Sequence, residues 1–157
     1  IENNILNTNK LGSAKRIFRE ISLRLKSLSN EEQEFFIRSN YVDQSILIWI
    51  SICRTYRFIG DFSSMIILEK FNSYQLELDY NDFNYFYEKQ KVFHKELNLL
   101  KDSTRKKLRQ VIFRIMKDLN IISKTLEISP LFPSIKLKEI SKSTKKDLQL
   151  FLPGVIR

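Results

Sequence analysis

Glycine and proline are scarce in this sequence, with three of each among 157 residues. Both residue types interrupt helices, so their scarcity leaves long stretches of the chain free to be helical. Ile, Phe and Tyr are abundant and also suit strands, so composition alone does not decide the fold class. Hydrophobic periodicity has to decide it instead.

Cysteine and histidine are rarer still, with one of each, Cys53 and His94. A single cysteine excludes a disulfide within the chain and fits a reducing compartment. Transition-metal sites need several Cys or His ligands, so we expect no metal site and no cofactor. We expect Cys53 to be a buried, inert thiol and His94 to be an exposed helix residue.

Motifs for catalysis are also missing. The sequence contains neither GxGxxG nor GxxxxGK[ST], the glycine-rich loops that hold phosphates. The acidic residues Glu31, Glu32 and Glu34 fit the first turn of a helix, where carboxylates complement the helix dipole. We therefore expect a protein that is not an enzyme and takes no small-molecule substrate.

The sequence has no long hydrophobic run. The most apolar stretch, residues 45–53, is about half of the ~20 residues that a membrane span needs. It predicts a buried helix, no membrane contact and a soluble protein of the cytoplasm. The first ten residues lack the basic start and apolar run of a signal peptide.

The first two thirds of the chain show helical periodicity. Ser29 and Glu32 match a capping box, Asp43 can cap the helix that contains the apolar run, and that helix is predicted to end near Gly60. Another helix follows from residue 61 or 63, and a long one begins at residues 81–82. The first helix, which starts after residues 12–13, has an apolar stripe predicted to face the core: Ala14, Ile17, Phe18, Ile21, Leu25 and Leu28.

The C-terminal third begins with the clearest helix, capped at residues 102–103. Its predicted buried stripe is Leu108, Val111, Ile112, Ile115 and Leu119. Two prolines then forbid a regular helix, and residues 121–122 and 134–137 are predicted to form a small hairpin. A short helix over residues 143–151 follows.

These patterns predict a mostly α protein with helix-turn-helix-like elements and a small C-terminal wing-like β-hairpin. Residues 1–100 would form a helical lobe with a basic first helix, and residues 101–157 a basic winged-helix-like lobe. A single continuous globular unit remains the alternative.

Positive charge is concentrated in three blocks of the sequence. The formal net charge is +9, from 27 basic and 18 acidic residues. Residues 10–26 contain six basic and one acidic residue, residues 101–117 seven and one, and residues 136–146 five and one, whereas residues 29–96 contain seven basic and eleven acidic residues. A solvated surface normally mixes both signs, so this segregation indicates a polyanionic partner.

The block at residues 103–110 (STRKKLRQ) best fits binding to nucleic acid. A helix N-terminus presents free N–H groups to phosphate, and Arg, Lys and Gln on its outer face can reach phosphates or base edges. A solvated basic face on a core helix is the alternative. The predicted contacts are Lys15, Arg16, Arg19 and Lys26 in the first block, Ser103, Thr104, Arg105, Lys106, Lys107, Arg109, Gln110 and Arg114 in the second, and Lys136 and Lys138 in the third.

Several segments together resemble the BrxA family of BREX phage-defence systems, in order and spacing along almost the whole chain. They are residues 13–17 (SAKRI), 57–58 (RF), 61–62 (DF), 103–111 (STRKKLRQV), 119–122 (LNII) and 130–131 (PL). The resemblance implies a compact helical protein that binds double-stranded DNA, without catalysis, beside a methyltransferase and other BREX proteins. Members of the family usually have further N-terminal residues.

The sequence thus predicts a non-catalytic component of BREX defence that binds duplex DNA through the phosphates. Two alternatives stay open: a scaffold that docks acidic proteins of a defence complex, and an RNA-binding protein.

Overall fold

A computed structural model describes residues 11–155, and 74% of these described residues are helical. The expectation about residues 1–10 lies outside the described part. The α-helices are α1 (Leu11–Lys26), α2 (Asn30–Arg38), α3 (Tyr41–Thr55), α4 (Arg57–Phe62), α5 (Leu68–Asn72), α6 (Tyr80–Phe93), α7 (Asp102–Asp118), α8 (Ile135–Glu139) and α9 (Lys142–Phe151). A π-helical turn (Ser63–Ile67) joins α4 to α5, and a 3-10 helix (Lys95–Leu99) follows α6.

Helix α3 lies at the centre of the fold. It contains the apolar run, and α1, α2, α4 and α9 all contact it. Trp49, Ile50 and Cys53 are among its buried side chains, which confirms the predicted buried helix and the buried thiol.

Burial raises the pKa of Cys53 well above its ordinary value, and the nearby charge of Asp147 adds to the effect, so the thiol stays protonated. No helix over residues 11–155 is long and apolar enough to cross a membrane.

The prediction that this helix ends near Gly60 is wrong. Helix α3 ends at Thr55, extended backbone at Tyr56 breaks it, and Gly60 lies inside α4. A Cβ atom at Gly60 would lie 2.9 Å from the Cys53 carbonyl oxygen and 3.3 Å from the Phe151 ring. The glycine therefore permits close approach of α4 to α3 and α9, and it does not stop a helix.

The start of α2 matches its sequence signal, but the predicted cap of α7 at residues 102–103 is wrong, because Lys101 is the N-cap residue and no side chain caps that helix. The Ser29 hydroxyl accepts the Glu32 N–H at 3.2 Å, and the Glu32 carboxylate accepts the Ser29 N–H at 2.9 Å, which confirms the capping box. Helix α3 is capped by Asn40 and not by Asp43. The Asp43 carboxylate is buried and accepts the Ser134 N–H at 3.0 Å, so a tertiary contact has replaced the predicted local one.

The predicted C-terminal wing is wrong. Residues 11–155 contain no sheet, and their pairing is limited to isolated bridges between Ile122 and Ile128 and between Glu77 and Glu127. Residues 134–137 belong to the start of α8, because the Ser134 side chain caps the Leu137 N–H at 3.2 Å. A serine cap followed by residues that favour helix outweighs the extended preference of the proline segment before it.

One hydrophobic cluster contains buried side chains from both sides of residue 100. Phe62, Phe83 and Phe86 form a set of edge-on aromatic contacts, and Phe113 of α7 lies 6.5 Å from Phe62 between ring centres. The Trp49 indole N–H donates to the Phe151 carbonyl at 3.0 Å. Helices α7 and α9 are therefore held on the same core as α3.

Candidate nucleic-acid interface

Helices α8 and α9 are consecutive short helices that contact each other. Ile140 and Ser141 connect them, and the Ser141 side chain caps α9 by accepting the Thr144 N–H at 3.0 Å. Thr144, Leu148 and Phe151 recur with helix spacing and are buried. The solvent side of α9 is therefore basic, and its exposed cations are Lys142, Lys145 and Lys146.

Polar contacts fix α9 on the core. The Arg54 Nε donates to Asp147 at 2.6 Å, and both terminal nitrogens of Arg54 donate to Glu32, at 2.6 and 2.9 Å. The Thr144 hydroxyl donates to Glu32 at 2.8 Å. Burial by itself would raise the pKa of Glu32, but the bonds from Arg54, Ser29 and Thr144 outweigh it and hold this pKa below its ordinary value. The carboxylate is thus ionised and orients α9 against α2 and α3.

The lysines of α8 and α9 have no ion-pair partner in the described part of the chain. None of the five has a carboxylate partner within 4.0 Å among residues 11–155: Lys136, Lys138, Lys142, Lys145 and Lys146. Lys138 and Lys145 line one pocket of about 270 Å³, together with Phe132 and Gln149. The predicted site Lys138 therefore lies beside a cation of α9, whereas Lys136 lines another pocket together with Glu31 and Glu34 of α2.

Two arginines of α7 hold that helix on α6. Arg105 donates to Glu88 at 2.9 Å and lies over the Tyr87 ring. Arg109 donates to the Asn84 side chain at 3.2 Å, and its guanidinium lies 4.4 Å from the centre of the Tyr80 ring. Both are partly buried, whereas the sequence placed them at the edge of an outward face. Their contacts explain how α7 is docked on α6.

The other predicted residues of α7 are exposed. Lys106 pairs with Asp102 at 2.8 Å and lowers its pKa, and Arg114 lies 3.8 Å from Asp118. Four exposed side chains have no hydrogen-bond or charge partner among residues 11–155: Ser103, Thr104, Lys107 and Gln110.

Of the predicted apolar stripe of α7, Ile112 and Leu119 are buried but Val111 is 41% exposed, while Phe113 and Met116 are buried in its place. The buried face is thus rotated from the prediction, because α6 covers that side of α7.

Helix α1 exposes its four predicted contacts, Lys15, Arg16, Arg19 and Lys26. Its predicted apolar stripe is only partly buried: Ala14 and Leu28 lie in the core, but Phe18 is 61% exposed. The prediction that the whole stripe faces the core is wrong, because α1 packs mainly on α3 and one neighbour covers only part of a helix.

Arg54 connects the end of α1 to α9. Its guanidinium donates to the Ser27 carbonyl at 2.9 Å and to Asp147 of α9 at 2.6 Å. Lys26 is therefore next to Ser27, which Arg54 holds together with Asp147 of α9. The arginines of α7 bond to α6 and not to the Arg54 network.

A family model for BrxA matches residues 1–145, which is most of the chain and extends into α9. The chain belongs to the BrxA family. This membership connects it to BREX-type phage defence. No curated protein matches the sequence.

The cations of α9 in this BrxA chain were missed at the sequence level. Lys142, Lys145 and Lys146 fall in the third basic block, from which only Lys136 and Lys138 were chosen. The signal was present, because Thr144, Leu148 and Phe151 have helix spacing and assign the lysines to the opposite face.

Among residues 11–155, no group of three or more His, Cys, Asp or Glu side chains is arranged to hold a metal ion.

Proposed function

We propose that this BrxA chain binds double-stranded DNA, without catalysis of its own, as a component of a BREX system. One observation supports the proposal above all others. Helix α9 presents Lys142, Lys145 and Lys146 to solvent, and no described carboxylate neutralises them. We infer that α8 and α9 act as a helix-turn-helix, whose second helix enters the major groove in many DNA-binding proteins.

Phosphate contacts account for the main part of the binding. A lysine that approaches a phosphate releases a condensed counterion, and lysines without an internal partner do so without first breaking an ion pair. The α9 helix is also rigidly placed by Asp147 and Thr144, so little ordering is needed when DNA binds. Lys138 of α8 lines the same pocket as Lys145 and extends the basic surface.

The two other basic helices supply additional contacts. On α7 the available side chains are Ser103, Thr104, Lys107 and Gln110, since Arg105 and Arg109 are engaged with α6. On α1 they are Lys15 and Arg16, with Lys26 next to the Arg54 connection to α9. These groups add to the affinity for any duplex sequence and do not read bases.

The test compares two triple variants with the same change of net charge. The first is Lys142→Glu, Lys145→Glu and Lys146→Glu, and the matched control is Lys89→Glu, Lys95→Glu and Lys124→Glu, all exposed. The dependence of duplex affinity on salt is measured for each. We expect the α9 variant to flatten the slope of log affinity against log salt by about 0.9 for each lost contact. The control should keep nearly the wild-type slope.

Three outcomes would overturn the proposal. Equal losses in both triple variants would show a general effect of net charge. Full affinity in the α9 variant would exclude α9 as the interface. Tighter binding to duplex RNA or to single-stranded DNA than to duplex DNA, in the same salt series, would assign a different ligand. Circular dichroism checks that each variant is folded.

A further inference from the structure

An exposed apolar corner lies at the C-terminal end of α6, away from the α9 lysines in sequence and in contacts. We call it the α6 corner, and it consists of Val92, Phe93, Leu99 and Leu100. Val92 is 75% exposed, Phe93 78% and Leu99 84%. Large apolar side chains that are exposed together mark interaction surfaces in folded proteins.

Hydrogen bonds hold the corner in shape. The Tyr87 hydroxyl donates to the Leu97 carbonyl at 2.8 Å, and the Asn98 amide donates to the Lys91 carbonyl at 3.4 Å. The second bond brings the chain after Asn98 back beside the last turn of α6. Asn98 precedes Leu99 and Lys91 precedes Val92, so this bond links the two apolar segments before any partner arrives.

The charges around the corner are unbalanced toward the positive. Residues 88–106 contain six Lys and Arg residues and three Asp and Glu residues. Glu88 pairs with Lys91 and Arg105, and Asp102 pairs with Lys106. Lys95 and Lys101 are exposed and have no carboxylate within 4.0 Å in the described part of the chain. A complementary surface therefore needs apolar side chains edged by acidic ones.

We propose that the α6 corner docks a partner protein whose contact face is apolar and flanked by Asp or Glu. A second copy of the chain fits less well, because a two-fold contact would bring Lys95 and Lys101 against the same lysines of the other copy. Duplex DNA is contacted mainly at its phosphates and sugars, which would not bury Val92 and Leu99. The proposal does not depend on DNA binding by α9.

The experiment uses two matched pairs of variants. Phe93→Ser is compared with Ile37→Ser, a residue of α2 that is 77% exposed, and Lys95→Glu is compared with Lys124→Glu, another exposed lysine without a described carboxylate partner. The probes are the other proteins of the same BREX system, purified and tested one at a time by biolayer interferometry. Truncating an apolar anchor at an interface typically lowers affinity about tenfold or more.

We expect one of these proteins to bind the wild type and to lose about tenfold affinity or more with Phe93→Ser and with Lys95→Glu. Both controls should bind as the wild type does. Replacing an acidic residue of that partner with Lys should restore binding to Lys95→Glu. Duplex DNA affinity should be the same for Phe93→Ser and wild type.

Several results would overturn the proposal. One is that none of the purified proteins binds, and another is that binding occurs but does not respond to Phe93→Ser. Sedimentation velocity that shows a dimer of the wild type lost in Phe93→Ser would assign the corner to a second copy. A loss of DNA affinity in folded Phe93→Ser would assign it to the nucleic-acid interface.

Discussion

Glu32 accepts hydrogen bonds from Arg54, from the Thr144 hydroxyl and from the Ser29 N–H, and only 1% of its surface is exposed. At the sequence level it is one of three acidic residues in a helix start, set apart only by its place in the capping box with Ser29. The structure gives it a second task, because its carboxylate joins α2, α3 and α9. Burying a carboxylate is unfavourable unless such partners are present.

Glu32→Gln should therefore destabilise the protein. The amide can accept fewer charge-assisted bonds and leaves Arg54 with Asp147 as its remaining partner, so we expect a loss of about 3 kcal/mol in the free energy of unfolding. Urea denaturation measures it. Glu31→Gln is the control, since that side chain is exposed and should change stability little. Equal effects of the two substitutions would contradict this account.

The same pair of variants predicts a pH dependence. The pKa of Glu32 in the folded protein lies below its ordinary value of 4.5. Its contribution to stability is therefore complete above about pH 4.5 and is lost as the pH falls through the lower folded pKa. Glu32→Gln should reduce the acid-induced loss of stability, although lowered pKa values of Glu31, Asp79 and Asp102 keep part of it. An unchanged acid limb in Glu32→Gln would contradict the assignment.

Among the helices, α7 shows most clearly how neighbouring elements divide one basic block. Arg109 and Arg105 face α6, where Asn84, Glu88 and two tyrosine rings receive them. Lys107 and Gln110 are exposed on the same helix. One run of cations thus contains residues that hold the fold and residues that remain available to a polyanion.

A comparison of Arg109→Met with Lys107→Met separates these roles. Methionine keeps an unbranched apolar stem but loses the contact with the Tyr80 ring and the bond to Asn84, so Arg109→Met should lower stability by about 1–2 kcal/mol. Lys107→Met should leave the melting temperature unchanged. In DNA binding we expect the reverse: Lys107→Met flattens the salt slope by about 0.9, and Arg109→Met does not. Thermal melts of both variants test the structural role, and salt titrations of duplex binding test the DNA-binding role.

For the whole molecule, the most informative contacts join distant parts of the chain. Trp49 donates to Phe151, Arg54 to Asp147, and the Ser63 hydroxyl to the Phe151 carbonyl at 2.8 Å. Phe113 of α7 lies against Phe62. The residues after position 100 therefore complete the core formed by the residues before it.

Residues 1–100 expressed alone should fail to fold cooperatively. Removing α7 and α9 exposes Trp49, Phe62 and the buried face of α3, and it leaves Arg54 without Asp147. We expect residual helicity with a broad thermal transition and weak near-ultraviolet circular dichroism, against a sharp transition in the full chain. A cooperative melt of the fragment would instead support two independent lobes.

The sequence by itself determined the family, the helical class, the buried helix α3, the capping box at Ser29 and the basic blocks. Each of these depends on local spacing: side chains three or four positions apart share a face, and a cap lies within a few residues of the helix that it starts. The sequence placed Cys53 correctly for the same reason, since its neighbours are apolar.

Only the tertiary structure decided which side of each helix is covered. Phe18 and Val111 have the same helical spacing as buried residues, but no described element lies over them. The carboxylate of Glu32 is buried through contacts with α3 and α9, and the Asp43 carboxylate bonds to the start of α8. Such contacts join residues far apart in the chain, here Glu32 to Thr144 and Asp43 to Ser134, and local patterns do not record which distant residue will arrive.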